Sequence, residues 1–163
     1  MKTLTISLAF WLCATSVQAQ MNVTLGDPWD GQDVPAGQQC ALFKGAGATP
    51  PMQVTNAPAG TVQINVEYND KSYGPLSQNG GHGIIGFTVS GTVIELPSVP
   101  GMTTELPAGS FVVAAARSTG EYASPGYLPP CSGGRGNKYS ARVKALSAGG
   151  EVLEEVVLPI GRY

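Results

Sequence analysis

The sequence predicts an all-β fold with long loops rich in glycine and proline and with little helix. The first observation is composition. The 22 glycines and 13 prolines make up about a fifth of the 163 residues, and both residue types are unfavourable inside helices. The second observation is that several segments alternate apolar and polar residues with the period of two that a half-buried strand requires. Only 12% of the residues are charged, against roughly a quarter in ordinary domains. A helical bundle is excluded because the sequence has no long glycine-free runs of Ala, Leu, Glu and Lys, and a highly charged disordered chain is excluded by 42% hydrophobic residues and a net charge of −2.

The first 19 residues have the pattern of a secretory signal peptide. Lys2 provides a positive start, and residues 4–14 provide an apolar stretch. Val17 and Ala19 are the small or apolar side chains expected before a cleavage site. The apolar stretch has about half of the roughly 20 residues that a membrane span needs. We therefore expect an exported protein, secreted or periplasmic, without a membrane span.

Residues 20–163 are predicted to form a single domain, long enough for a hydrophobic core without a metal. Its eight basic and eleven acidic side chains do not supply the clustered positive charge that nucleic-acid binding requires. Cys40 and Cys131 are its two cysteines. An even pair in an oxidising compartment indicates a disulfide, and two buried free thiols are the alternative. We expect neither a metal nor a cofactor.

The strand candidates of the first half follow from turn signals and alternation. Turn signals crowd residues 20–48, where only short strands fit, and Thr49–Met52 is extended by its two prolines. Residues 61–68 alternate apolar and polar side chains and form the clearest strand. Residues 83–89 are mostly apolar, as in a central strand buried on both faces. Gly86 within this run indicates a bulge or the close approach of another backbone.

The second half of the chain predicts further strands that end in a hairpin. Four segments qualify, of which the last two form the hairpin: 92–96, 111–117, 139–146 and 151–158. The hairpin follows from two alternating runs separated by Ser-Ala-Gly-Gly, and one short helix at 151–157 is the alternative. A loop rich in glycine and proline is predicted at 118–136.

His82 is the only histidine, and it stands where a site could form. It opens the apolar run 83–89 directly after a polar loop, 69–81, that carries Asp70. This position predicts a side chain at the rim of a pocket, and a purely structural histidine is the alternative. An imidazole with a carboxylate nearby can bind an anion or hold a phosphate head group. No nucleophile elbow, metalloprotease helix or phosphate-binding loop accompanies it, so we expect no enzymatic activity.

Eight short motifs follow one another along residues 26–146. They are Gly31-Gln-Asp-Val-Pro-Ala, Thr49-Pro-Pro-Met-Gln-Val, Ala57-Pro-Ala-Gly-Thr61, Val66-Glu-Tyr-Asn-Asp70, His82-Gly-Ile-Ile85, Leu106-Pro-Ala-Gly109, Gly126-Tyr-Leu-Pro-Pro-Cys131 and Asn137-Lys-Tyr139. Each motif is short, but eight in the same order are hard to obtain by chance. In this order they resemble the motifs of the phosphatidylethanolamine-binding protein family.

The resemblance implies a β-sandwich with a small pocket for an anion, such as phosphate or a phospholipid head group. Carried over by position, it implies that six residues form this pocket: Asp70, His82, Gly126, Tyr127, Asn137 and Tyr139. It also implies that Cys40 and Cys131 lie near the pocket, which favours their pairing. The alternative function is that of a protein-interaction or protease-inhibitor-like module. Such a module would have a vestigial pocket and would bind a protein partner through loops such as 118–136.

The sequence departs from the family pattern at three places around this pocket. Residues 69–75 hold fewer carboxylates than the acidic loop of the family, and Gly83 stands where the family has a tryptophan. Asn137 replaces a second histidine and can donate a hydrogen bond but cannot carry charge. We therefore expect a pocket with fewer charges and with one wall opened at Gly83. The tail 151–163 is too short and strand-like for the C-terminal helical segments of the family.

Overall fold

The computed structural model describes residues 19–163, which form eight strands in two antiparallel sheets. The strands in chain order are β1 Asn22–Leu25, β2 Met52–Thr55, β3 Gln63–Asp70, β4 Ile84–Thr88, β5 Val93–Leu96, β6 Ser110–Ala114, β7 Lys138–Leu146 and β8 Val152–Arg162. The helical segments of this part of the chain are three single 3₁₀ turns: Ala41–Phe43, Gly74–Leu76 and Gly120–Tyr122. The predicted all-β fold class is confirmed.

None of the helical segments among the described residues is long and apolar enough to cross a membrane. The predicted signal peptide, residues 1–19, lies outside the described residues except for Ala19 and stays a prediction.

The larger sheet has the strand order β6-β4-β3-β7-β8, and the smaller sheet has the order β1-β2-β5. Alternation places Ile64, Val66 and Tyr68 of β3 on one face of the larger sheet, where each is at most 1% exposed. They share one hydrophobic core with Val54 of β2 and Ile94 of β5. The apolar faces of the two sheets thus bury each other, which is the packing of a β-sandwich.

The predicted strands are all present, with different bounds. β3 continues through Asn69 and Asp70 because these residues pair with Ser140 and Tyr139 of β7, so Asp70 ends a strand and is not a loop residue. The tail forms β8, an 11-residue strand paired with β7, and the alternative of a short helix at 151–157 is wrong.

Gly86 is needed because side chains of the neighbouring strand approach it closely. A Cβ at Gly86 would lie 2.5 Å from the Phe111 ring and 2.9 Å from a methyl carbon of Val113. The register between β4 and β6 also shifts at Ile84 and Ile85. The predicted bulge is therefore present next to the glycine, but the close neighbours are β6 side chains and not another backbone.

Cys40 and Cys131 form a disulfide with a Cα–Cα distance of 5.2 Å. The pairing is thus confirmed, and the alternative of two free thiols is wrong. The bond joins the segment after β1 to the loop that precedes β7.

Candidate functional site

Asp70 is positioned by the pairing of β3 with β7, which sets it opposite Tyr139 at the end of the larger sheet. Its side chain is buried. Oδ1 accepts a hydrogen bond from the main-chain N–H of Ser72 at 2.9 Å, and Oδ2 accepts one from Nδ2 of Asn137 at 2.7 Å. Among residues 19–163, no cationic side chain lies within 4.0 Å of this carboxylate. The negative charge of Asp70 is therefore stabilised by hydrogen bonds from neutral donors and not by an ion pair.

His82 is fixed just before β4 by its main chain and by its ring. Its N–H donates to the carbonyl of Tyr68, and its own carbonyl accepts from the N–H of Leu128. The ring Nδ1 lies 2.8 Å from the Leu128 carbonyl oxygen. Because a carbonyl can only accept, Nδ1 carries a proton, and Nε2 is the acceptor of the neutral ring.

The environment of His82 favours this neutral ring. Burial lowers the pKa of His82 below its usual value, while the Leu128 carbonyl and the charge of Asp70 act in the opposite direction. The lowered pKa leaves the imidazole uncharged at neutral pH, so it offers a hydrogen-bond acceptor and not a positive charge.

Tyr139 contacts His82 edge to face, with ring centroids 5.3 Å apart and planes inclined by 76°. Its hydroxyl oxygen accepts a hydrogen bond from the main-chain N–H of Cys131 at 3.2 Å. Burial is the largest of the causes that raise the pKa of Tyr139 to about 12. The hydroxyl therefore stays protonated over the physiological range and can act as a donor.

A cavity of about 420 Å³ brings four of the six predicted pocket residues together: Asp70, His82, Asn137 and Tyr139. Asp70, His82 and Tyr139 are each less than 5% exposed and form the buried part of its lining. Cys131 of the disulfide borders the same cavity. The larger sheet and the disulfide together thus fix the inner end of the cavity.

The other two predicted residues, Gly126 and Tyr127, do not border this cavity. Tyr127 lies in the hydrophobic core, with its ring centroid 4.6 Å from that of Tyr68, and its buried hydroxyl has no partner among residues 19–163. Gly126 packs behind Gly83, where a Cβ would lie 2.6 Å from the Gly126 carbonyl oxygen. The expected opening at Gly83 is therefore absent, because main chain fills the position of a side chain.

Two arginines that no sequence pattern singles out, Arg117 and Arg135, also line the cavity. The Arg117 guanidinium donates to three main-chain carbonyls, those of Pro75, Gln78 and Asn79, at 3.1, 2.7 and 2.7 Å. Arg135 is exposed and forms no hydrogen bond or ion pair with its side chain in the part of the chain that the structure describes. The only available signal was that the connection between β6 and β7, residues 115–137, carries just two cations in a chain with few charges.

The described part of the chain is thus a two-sheet β-sandwich with a partly buried polar cavity. Two solved structures are similar to this chain over most of its length. YbcL from Escherichia coli, described as a new member of the mammalian PEBP family, has a TM-score of 0.59 and 19% identity, and covers 89% of this chain and 98% of its own. CT736 from Chlamydia trachomatis, described as a homolog of phosphatidylethanolamine-binding protein (PEBP), has a TM-score of 0.56 and 19% identity. That alignment covers 88% of this chain and 97% of CT736.

No protein-family model matches the sequence, and the comparison with curated proteins finds no match. The evidence for the fold therefore comes from the likeness to solved structures, which shows that the chain has a divergent PEBP-like fold. This confirms the fold that the eight motifs predict.

Proposed function

We propose that this protein is an exported, non-enzymatic binding protein whose cavity takes a small ligand with an anionic group, such as phosphate or a phosphate head group. The observation that carries this proposal is the lining of the 420 Å³ cavity. At its inner end the Asn137 amide and the Tyr139 hydroxyl can donate hydrogen bonds to an anion, beside the buried side chains of Asp70 and His82. Its exposed part holds the two guanidinium groups of Arg117 and Arg135.

The charge of this lining favours an anion. Arg117 and Arg135 contribute two positive charges, Asp70 contributes one negative charge, and His82 is neutral near pH 7. Guanidinium groups bind phosphate and carboxylate oxygens through paired N–H donors. Because Asp70 lies in the buried part, its carboxylate can pair with a ligand that also carries an ammonium group. A phosphorylethanolamine head group has both a phosphate and an ammonium group.

Two serine hydroxyls and one cysteine of the lining are engaged in ways that support binding without catalysis. The Ser118 hydroxyl donates to the carbonyl of Tyr122, and the Ser132 hydroxyl donates to that of Tyr163. Cys131 is oxidised in the disulfide. A nucleophile needs a neighbouring base that takes its proton, and these three side chains are engaged elsewhere. The disulfide also supports an oxidising compartment, in keeping with the predicted export signal.

Calorimetric titration of the purified protein with inorganic phosphate and with phosphorylethanolamine tests this function. We expect the wild type to bind, and we expect Arg135→Gln to weaken binding about tenfold, the usual value of one charge-assisted hydrogen bond. Because the Arg135 side chain is exposed, this variant should fold normally. Lys44→Gln, an exposed charge outside the cavity, is the matched control. Failure of the wild type to bind either compound overturns the proposal and favours the protein-interaction module.

A further inference from the structure

A second cavity, of about 400 Å³, shares Tyr139 with the first one. Its charged lining residues are Lys138 of β7, Arg162 of β8 and Asp33. Five of its eight lining residues belong to the first and last of the eight motifs, Gly31-Gln-Asp-Val-Pro-Ala and Asn137-Lys-Tyr139. The resemblance implies no ligand in this second cavity, and the function proposed above does not use it. Its lining has a formal charge of +1, although the chain as a whole carries −2.

Lys138 and Arg162 face each other directly across β7 and β8. The adjacent pair, Asn137 and Tyr163, exchanges both main-chain hydrogen bonds, at 2.8 and 3.0 Å. Lys138 and Arg162 therefore occupy the next, non-hydrogen-bonded position, where facing side chains of an antiparallel pair are closest. Two cations at such a position repel each other and destabilise the pairing.

No side chain among residues 19–163 neutralises this repulsion. The ion pairs of this part of the chain involve only Arg142 and Lys144, which contact Glu67 and Glu155 in the middle of the larger sheet. Neither Lys138 nor Arg162 has a carboxylate within 4.0 Å, although Asp33 lines the same cavity. A close cross-strand position of the larger sheet thus holds two exposed cations without a counter-ion.

We propose that this second cavity is an oxyanion site in which one phosphate, sulfate or carboxylate group bridges Lys138 and Arg162. The guanidinium of Arg162 can take two oxygens of the group in parallel, and the Lys138 ammonium can take another as a point charge. Gln32, which also lines the cavity, has a neutral amide donor. Asp33 opposes the anion and weakens the site. The site is independent of the ligand of the first cavity.

A reversal in the effect of one substitution tests the site. Without an oxyanion, Lys138→Gln should raise the melting temperature, because it removes the repulsion from Arg162. In sodium phosphate at the same ionic strength, the same variant should melt below the wild type, because it has lost the bridging ion. Arg162→Gln should behave likewise, and Lys44→Gln should respond equally in chloride and in phosphate. Equal differences from the wild type in both salts would overturn the proposal.

A phosphate titration followed by NMR of the backbone amides separates this site from the first cavity. In an Arg135→Gln background, phosphate should still shift the amides of Gln32 and Gly161. Adding Lys138→Gln should raise the dissociation constant for phosphate, read from these shifts, about tenfold. Asp33→Asn should lower the same constant several-fold. Loss of binding at the first cavity alone would count against the proposed function and leave this site standing. Unchanged shifts at Gln32 and Gly161 throughout the titration would overturn the site.

The same variants distinguish a free oxyanion from the head group of a lipid. Co-sedimentation with phosphatidylcholine vesicles that contain a minor fraction of phosphatidic acid reports the lipid. Sedimentation of the wild type that Lys138→Gln abolishes assigns the site to a membrane phosphate. Phosphate binding in solution without sedimentation assigns it to a free ion. Absence of both would overturn the proposal.

Discussion

Glu67 and Asp70 are two buried carboxylates three positions apart on β3, but the structure compensates their charges in opposite ways. Glu67, on the outer face of the larger sheet, contacts the ammonium of Lys144 and lies 4.0 Å from Nε of Arg142. Asp70, on the core face at the end of the strand, accepts hydrogen bonds from neutral groups. The middle of the sheet thus neutralises its own charge, whereas the cavity end leaves a buried charge that a ligand can still pair.

The largest expected effect on stability comes from removing the Cys40–Cys131 disulfide, which lies at the cavity end of the molecule. In the chain-entropy account, a cross-link between residues 91 positions apart stabilises the folded state by about 4.6 kcal/mol. The double variant Cys40→Ala/Cys131→Ala should lose that amount in urea unfolding. The wild type in reductant serves as the parallel sample. An unchanged unfolding midpoint would show that the cavity end is stable without its disulfide.

Isosteric neutralisation of each carboxylate compares the two regions directly. Glu67→Gln should lower the free energy of unfolding by about 2 kcal/mol, because it leaves two cations without their shared partner. That value is below the one for a fully buried pair, since Lys144 and Arg142 are 22% and 38% exposed. Asp70→Asn should cost about 1 kcal/mol, because one of its two hydrogen bonds from neutral donors is lost and the removal of a buried charge offsets part of that loss. Urea unfolding of both variants checks the order, and a larger cost at Asp70 would contradict the comparison.

The pH dependence of stability should reveal His82 at the cavity end. Its folded-state pKa is lowered by burial, so the unfolded chain takes up a proton first as the pH falls. Stability is then full above the unfolded value of about 6.5 and is lost as the pH falls from there through the folded pKa. The maximal slope is about 1.4 kcal/mol per pH unit.

The control for this pH dependence is His82→Gln, whose side-chain amide can still donate to the Leu128 carbonyl. The difference in unfolding free energy between wild type and variant should be constant above neutrality and should shrink below it. A difference that stays constant through the acid range would show that His82 titrates alike in the folded and unfolded states.

The smallest expected effect concerns two tyrosines on either side of the cavity boundary. Tyr127→Phe removes a buried hydroxyl without a partner, so thermal unfolding should show unchanged or slightly raised stability, by at most about 1 kcal/mol. Tyr139→Phe removes the acceptor of the Cys131 N–H and should lower stability by about 1 kcal/mol. A destabilising Tyr127→Phe would mean that its hydroxyl has a partner.

The strands could be predicted because alternation along a sequence is a local property. The register that makes Asp70 a strand residue could not be predicted, because it depends on pairing with Tyr139, 69 positions away. For the same reason, residues 92–96 could be recognised as a strand but not assigned to the smaller sheet beside β2.

The candidate site shows the same division between local and distant information. The motifs identified His82 and Asp70, whose neighbours in sequence are distinctive. Arg117 could not be found, because its role depends on three carbonyls about 40 positions earlier. Tyr127 was predicted for the pocket by its motif position, and packing against Tyr68 places it in the core.

The carbonyl contacts of Arg117 have a consequence for how the cavity responds to acid. A guanidinium keeps its proton throughout the usable pH range, and main-chain carbonyls do not titrate, so the contacts that hold residues 75–79 against Arg117 are insensitive to pH. Protonation of His82 therefore changes the charge inside the cavity while this part of its wall keeps its form. The charge of the cavity and the position of residues 75–79 are thus set by separate groups, so a change of pH can alter which ligands are attracted while this wall stays in place.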